Sequence, residues 1–378
     1  MRAAGGRFRV ARIRLLQTLR NQVRFPMARK RSDQGVKRRY TIRDIAEMAG
    51  VSRSTVSLAL NDSDKINAKT KERVLEIVRK VGYHPSAIAR SLVRQKAGVI
   101  CVILPQIDHV VSDFYFSESL SGILEVVTRK GYHLMVEMAT PEFKEQRKAL
   151  SLYRQRAMDG VLCVGNLTTD TYLSDLAEAG CPVVLVNSSL PNLHQVLGAN
   201  REAAYRAVAH LHSLGHTRIG HIRGSEFVTT AIHRTEGYLR AVRELGLEES
   251  DELLAQGYFD QRSGYLATKW LLSHKRRPTA IYSVNDMMAI GAMQAIREAG
   301  LRIPQDIALF GGDDILLAQY VTPKLSTIRQ NMYSIGQLAC EQLFRILEGK
   351  PATLVAEVEL ELVIRESCGA ALVAKNAR

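Results

Sequence analysis

Two periodicities divide the chain. Between Thr41 and Val81 apolar residues recur at helical spacing; from Gly98 onward short β-branched runs alternate with amphipathic segments. In the first stretch Ile42, Ile45, Ala46 and Ala49 fall at i, i+3, i+4 and i+7, which predicts one short helix. Gly50-Val51-Ser52 then interrupts it. Gly50 suits a left-handed C-terminal turn, Val51 can plug the gap between two helices, and Ser52 is a good N-cap for the next. In that second helix Val56 and Leu60 share one face, and Arg53, Ser54, Ser57 and Leu58 share the other. Asn67 can cap a third helix, Ala68 to Val81, with Val74, Ile77, Val78 and Val81 facing inward and Gly82 ending it. Two helices joined by a three-residue turn form a helix-turn-helix. A short, polar, cationic outer face on the second is what entry into a DNA major groove requires.

Beyond this head, His84-Pro85 favours an extended link. Ser86–Leu92 can form one or two helical turns, too few to be stable alone in water, so DNA or a partner chain must order them. Strand-like runs follow at Val99–Leu104, His133–Met138, Val161–Val164, Pro182–Val186, Arg218–Ile222, Thr279–Ser283 and Ile307–Phe310. Helix-like segments lie between them, among them Glu118–Arg129, Ala203–Leu214, Thr235–Leu245, Ser263–Leu272 and Met288–Ala299. Runs apolar on both faces and separated by helices imply parallel sheets covered on both sides. Over roughly 270 residues they imply two doubly wound α/β lobes, with a ligand cleft where the carboxyl ends of the strands face each other. The expected organisation is an arm at 1–39, an all-α head at 40–84, a hinge segment and linker at 85–97, the two-lobed body at 98–368 and a tail at 369–378.

Charge sharpens this division. Residues 1–39 carry thirteen Lys/Arg against one acid, and residues 40–96 carry eleven against six. The formal charge of +14 over 378 residues therefore leaves −3 for the body. A basic head on a nearly neutral body is the footprint of a polyanion-binding protein. Met27-Ala-Arg-Lys-Arg looks like a natural start for a basic arm, so residues 1–26 are expected to be disordered or to derive from an upstream start codon.

Other chemistries find little support. The five cysteines show no metal-type pairing, and Cys101 and Cys163 sit inside apolar runs as small core residues. No apolar run approaches the ~20 residues that span a bilayer. No Gly-rich phosphate loop follows the first strand, and no nucleophile elbow or acid/base pair is evident. His210, His212, His216 and His221 straddle a helix end, a turn and a strand, and read as surface or packing histidines. No cofactor and no metal is expected.

Four motifs in order resemble the LacI/GalR family of bacterial transcription regulators. They are Ile42-Arg-Asp-Ile-Ala-Glu-Met-Ala-Gly-Val-Ser-x-x-Thr-Val-Ser-x-Ala-Leu-Asn61, Gly82-Tyr-His-Pro-Ser-Ala-Ile-Ala-Arg-Ser-Leu92, Asn285-Asp-Met-Met-Ala-Ile-Gly-Ala292, and Gly311-Gly-Asp-Asp-Ile315 with Thr322-Pro-Lys-Leu-Ser-Thr-Ile-Arg-Gln330. The resemblance runs from about Thr41 to Cys368. It implies a cytoplasmic homodimer on a pseudo-palindromic double-stranded operator, most often a repressor, with a small effector, sugar or sugar-like, held between lobes of periplasmic-binding-protein type. It implies that Arg53, Ser54 and Ser57 face base edges and nearby phosphates. Leu58 departs from the polar residue of several relatives and can still read a thymine methyl or simply pack against sugar. Thr41, Ser52, Thr55, Asn61 and Tyr83 resemble backbone-contacting or positioning residues. Ala89 and Leu92 lie in the segment resembling the family's hinge helix, where Leu92 would wedge into the minor groove. For the effector the resemblance points to Tyr115, Thr230, Arg234, Phe259, Asn285 and Asp286, although Asn285 and Asp286 can also serve merely to cap a helix. Gly312 stands where relatives often carry an aromatic.

Three other readings stay open on the sequence: a soluble sugar-binding protein without specific DNA binding, an enzyme built on the two lobes, and a nonspecific DNA binder using the basic arm. A tail of ten residues after Cys368 is too short for a tetramerising coiled coil, so a dimer is expected.

Overall fold

The computed structural model describes residues 40–60, 63–83 and 96–372. Its contacts divide the chain into two compact units, separated between Ser86 and Ala87.

The first unit is the predicted trio of helices: α1 (Ile42–Ala49), α2 (Arg53–Leu60) and α3 (Ala68–Val81). Local chemistry sets each end. Thr41 and Asp44 form a reciprocal capping box, in which the Thr41 backbone N–H donates to Asp44 Oδ2 at 2.7 Å and the Asp44 N–H donates to Thr41 Oγ1 at 3.3 Å. Gly50 takes φ 60°, a left-handed turn that glycine adopts without penalty. Ser52 Oγ accepts from the Thr55 N–H at 3.1 Å and starts α2, and Asn67 Oδ1 accepts from the Lys69 N–H at 2.9 Å to start α3. Ile45, Ala46, Ala49, Val56, Ala59 and Val74 form the buried centre, with Val51, Leu60, Ile77, Val78, Val81 and Tyr83 packed around it.

The second unit holds two parallel sheets. Lobe 1 contains β1 (Val99–Pro105), α4 (Phe114–Arg129), β2 (His133–Ala139), α5 (Pro141–Glu145), α6 (Lys148–Arg154), β3 (Gly160–Val164), α7 (Tyr172–Glu178), β4 (Val183–Val186) and β5 (His194–Gly198). Lobe 2 contains α8 (Asn200–Ser213), β6 (Ile219–Arg223), α9 (Thr229–Glu244), β7 (Leu254–Gln256), α10 (Gln261–Ser273), β8 (Ala280–Ser283), α11 (Asp286–Glu298), β9 (Ala308–Phe310) and β10 (Thr327–Arg329). The chain then returns to lobe 1 for α12 (Met332–Leu347) and β11 (Val355–Val358), and crosses once more to pair β12 (Glu361–Val363) antiparallel with β10. The sheet orders are β11-β5-β4-β3-β1-β2 and β7-β6-β8-β9. Three crossings thus join the lobes, at 198–200, 330–332 and 358–361.

Alternation along each strand explains the double winding. In lobe 1, Ile100, Val102, Leu162, Val164, Val184 and Val186 face α4 and α12. Cys101, Ile103, Val161, Cys163, Val183 and Leu185 face the helices of the other side. In lobe 2, Tyr282 and Phe310 join the α8–α9 core, whereas Ile222, Ile281 and Leu309 join that of α10 and α11. Strand β2 differs from its expectation. It lies at the sheet edge, so Val136 and Met138 are exposed and not covered on both faces. All five cysteines are free and buried, as core residues. His221 is a packing residue, its ring stacked between Tyr238 and Tyr282 at centroid distances of 4.7 and 5.1 Å.

Helices α4 and α12 meet through two glycines. A Cβ on Gly122 would fall on the carbonyl of Tyr333, and one on Gly336 on the carbonyl of Ser119. Backbone atoms cannot yield as flexible side chains do, so Gly336→Ala is expected to destabilise the body by about 1–3 kcal/mol, the usual cost of overpacking. Urea unfolding of the full chain measures this, and an unchanged midpoint contradicts it.

Candidate DNA-reading head and inter-lobe cleft

In the head, α1 and the turn hold α2 with its polar edge outward. Arg53 and Ser54 are exposed, and Arg53 forms no ion pair among the described residues. Ser57 and Leu58 are half-buried at the rim. Ser52 and Thr55 bond to each other through their hydroxyls at 2.9 Å as part of the cap, and Thr41 is exposed at the start of α1. Tyr83 packs against the head core, and burial raises its phenol pKa. Asn61, Ala89 and Leu92, with the expected hinge helix, lie outside the described residues.

In the body, the expected cleft residues come from both lobes. Arg234, in the second turn of α9, is buried at 3% exposure. Its Nε–H donates to Asn200 Oδ1 at 2.8 Å, and its Nη1 donates to the carbonyls of Val284 and, at 2.6 Å, Gly312. Both terminal nitrogens lie 3.2 Å from Asp313 Oδ1. Gly312 leaves room for this: a Cβ there would lie 2.8 Å from the Val284 carbonyl oxygen and 3.3 Å from Arg234 Nη1. Thr230 lies four residues before Arg234 in α9 and is buried. From lobe 1, Tyr115 in the first turn of α4 comes within electrostatic reach of Arg234 and Asp313. Burial pushes its phenol pKa up, so it stays neutral.

Phe259 adopts φ 68°, and its ring closes over Gly224, where a Cβ would lie 2.6 Å from it. Its carbonyl accepts from Asn285 Nδ2 at 2.9 Å, while Asn285 Oδ1 caps α11 through the Met288 N–H at 3.0 Å. Asp286 is fully buried. Its carboxylate accepts from the N–H groups of Gly312 (2.8 Å) and Ile315 (2.9 Å) and from the Thr327 hydroxyl (2.5 Å). Asn285 and Asp286 therefore engage their polar atoms in building the loop under the cleft. Burial raises Asp286 to about 6, against those three donors, which lower it. Asp313 is the acid beside Arg234, and it was not among the residues expected from sequence. Its position after a glycine pair at the carboxyl end of β9 is the signal that could have found it. Burial raises its carboxyl to about 7, opposed by Arg234. Among the described residues two hydrogen bonds join the lobes outside the crossings: Thr168 N–H to the Phe227 carbonyl at 2.9 Å and Ser189 N–H to Thr229 Oγ1 at 3.1 Å. Among the described residues no cluster suited to a metal ion occurs, and no helix is long and apolar enough to cross a membrane.

A helix-turn-helix head and a body of two parallel-sheet lobes with polar groups converging between them define a DNA-binding regulator of periplasmic-binding-protein type. Comparison with known proteins agrees. Residues 41–86 match the family model "Bacterial regulatory proteins, lacI family", and residues 208–368 match the model "Periplasmic binding protein-like domain". The chain is 34% identical over 331 residues to the HTH-type transcriptional repressor PurR of Pasteurella multocida, covering 86% of this chain and 98% of that protein. It is 33% identical to the HTH-type transcriptional repressor CytR of Escherichia coli K12, covering 86% and 96%. Among solved structures, the lac repressor dimer bound to operator and the anti-inducer ONPF superposes with a TM-score of 0.77 at 25% identity, covering 87% of this chain and 99% of that one. The chain belongs to the LacI family. It is a DNA-binding transcriptional repressor and not an enzyme.

Because burial raises Asp313, the folded chain holds a proton that the unfolded chain releases, and stability falls as pH climbs from the ordinary value of 3.8 to about 7. Burial moves His221 and His233 the other way, to about 4. Both histidines are common to the wild type and to Asp313→Asn, so they cancel in the difference between the two; Asp286 faces Asp313 and is raised in the same direction, so the difference reads the pair of acids. Urea unfolding is expected to show the wild type losing stability relative to Asp313→Asn between pH 5 and pH 7.5; a pH-independent difference contradicts the assignment.

Proposed function

We propose that a small, carbohydrate-related metabolite bound between the lobes controls this repressor, which holds a pseudo-palindromic operator as a homodimer in the cytoplasm. The observation that carries the reading is the convergence of Arg234 and Asp313 of lobe 2 with Tyr115 and Asn187 of lobe 1. Asp313 accepts from hydroxyls, Arg234, Asn187 and Tyr115 donate, and the Phe259 ring offers a face on which a sugar or base ring stacks. Asp286, Asn285 and Thr230 shape the floor beneath. A ligand gripped from both sides shifts the balance between lobe arrangements, and operator affinity follows only as far as the ligand discriminates between them. The lac repressor relative, a dimer on operator with a small molecule, supports the arrangement. The exposed Leu316, Leu317 and Tyr320, with Leu266 and Trp270 on α10, supply apolar surface for self-association.

In the head, Arg53, Ser54 and Ser57 read base edges, Leu58 contacts a thymine methyl, and Thr41, Ser52, Thr55 and Tyr83 fix register on phosphates. Asn61, Ala89 and Leu92 complete the set in the same roles as in the resemblance.

Two measurements test the reading. On an operator recovered by selection from random duplexes, Arg53→Ala is expected to weaken specific binding by about 1–3 kcal/mol, and an equal loss on unrelated DNA refutes base reading. A thermal-shift panel of glucose, cellobiose, glucuronate, galacturonate, hypoxanthine, adenosine and cytidine, followed by gel shifts, is expected to yield a carbohydrate that alters operator affinity. A response to a purine base or nucleoside alone replaces the carbohydrate assignment, and no response to any compound defeats the effector reading.

A further inference from the structure

Asn200 stands where the first crossing enters lobe 2, as the opening residue of α8, and it is 1% exposed. Its Oδ1 accepts from Arg234 Nε at 2.8 Å and from Gln330 Nε2 at 3.2 Å. Its Nδ2 donates to the Gly198 carbonyl at 3.0 Å and to Asn187 Oδ1 at 3.4 Å. Gln330 precedes the second crossing, and its Oε1 accepts from Asn187 Nδ2 at 3.1 Å. Asn187, at the end of β4 in lobe 1, also accepts the Gly198 N–H at 3.0 Å. The third crossing joins beside them, where the Ala199 N–H donates to the Val358 carbonyl at 2.8 Å.

We infer that Asn200 is a positioning residue that transmits displacement of the Arg234 side chain in the cleft to the chain crossings between the lobes. It works by offering two faces at once. Its carbonyl oxygen holds the guanidinium and the second crossing, and its NH2 group holds the first crossing and lobe 1. A primary amide supplies two acceptances and two donations from separate atoms: a carboxylate accepts but cannot donate, a hydroxyl has a single O–H to donate, and an apolar residue leaves the buried Arg234 Nε–H unmatched. Among the described residues every other acceptor of Arg234, the Val284 and Gly312 carbonyls and Asp313, belongs to lobe 2, so Asn200 is its hydrogen-bonded link toward lobe 1. This inference deepens the proposed control by a metabolite, since a ligand that moves Arg234 thereby moves the crossings.

The test needs neither metabolite nor DNA, so its outcome is separate from that of the compound panel. At pH 8, above the value to which burial raises Asp313, Asp313→Asn removes the charge partner of Arg234 within lobe 2. Native-state hydrogen exchange then reads the Gly198 amide, which donates into lobe 1. In the wild-type background Asp313→Asn is expected to speed Gly198 exchange about three- to tenfold, the size of coupling seen between residues in one network. In an Asn200→Ala or Asn200→Asp background the same substitution is expected to add less than about twofold. Asn200→Asp keeps an acceptor for Arg234 and so guards against simple loss of fold. A merely structural Asn200 gives additive changes, and additivity, or no acceleration in the wild-type background, overturns the inference. If both Asn200 variants fail to fold, Arg234→Lys decides: it keeps a cation for Asp313 but not the Nε–H, so Gly198 exchange rises if the relay holds and is unchanged if it does not.

Discussion

Taking a guanidinium out of water costs several kcal/mol unless its charge is opposed and its N–H groups are matched. Arg234 meets that demand with partners drawn from three separate segments: Asn200, Val284, and the adjacent Gly312 and Asp313. Each must be placed to within hydrogen-bonding distance, so the carboxyl ends of β8 and β9 and the start of α8 are held in register about one side chain. Asp286 performs the companion task one layer below, gathering the N–H groups of Gly312 and Ile315 and so shaping the loop that carries Asp313. The cleft floor is thus two buried charges deep, with one acid structural and the other beside the guanidinium. Gly312 is part of the same solution, because any side chain there would press on the carbonyl that Arg234 holds.

The lobes themselves are ordinary double-wound cores, and what distinguishes the body is how they are joined. Three crossings, two of them flanked by buried amides, mean that neither lobe is a simple insertion into the other. Polar networks in such a position define one geometry sharply when all their members are satisfied. On the inference drawn for Asn200, a change at the cleft is felt as a change of partner at the crossings and not as a diffuse strain.

Much of this was legible in the chain. The head could be read almost residue by residue, because capping, a glycine turn and a helical period are local signals: Thr41, Gly50, Ser52, Asn67 and Gly82 each do what their chemistry favours. The central strands were legible for the same reason, being apolar on both faces. Strand β5, with His194, Gln195 and Gly198, lacks that pattern, and β11 pairs with it across more than 150 residues of intervening lobe, which no local rule reveals. The cleft was legible only in part. Arg234 and Tyr115 come to one place with Asp313, yet Asp313 lies 79 residues from Arg234 in sequence, and only the fold joins them. Asp286, expected as an effector contact or a helix cap, takes its donors from the 312–315 loop and Thr327, which no local signal in the chain reveals.

The return of α12 and β11 to lobe 1 also orders events at the ribosome. Strands β1 to β5 emerge early, but the apolar side of α4 that α12 covers and the free edge of β5 stay open until synthesis has passed Val358. At ~5–20 residues per second that is an interval of roughly 8–30 s. During it lobe 2 can gather its own contiguous strands while the nascent first lobe presents a sticky, half-covered sheet, and nascent-chain chaperones have a defined window in which to hold it.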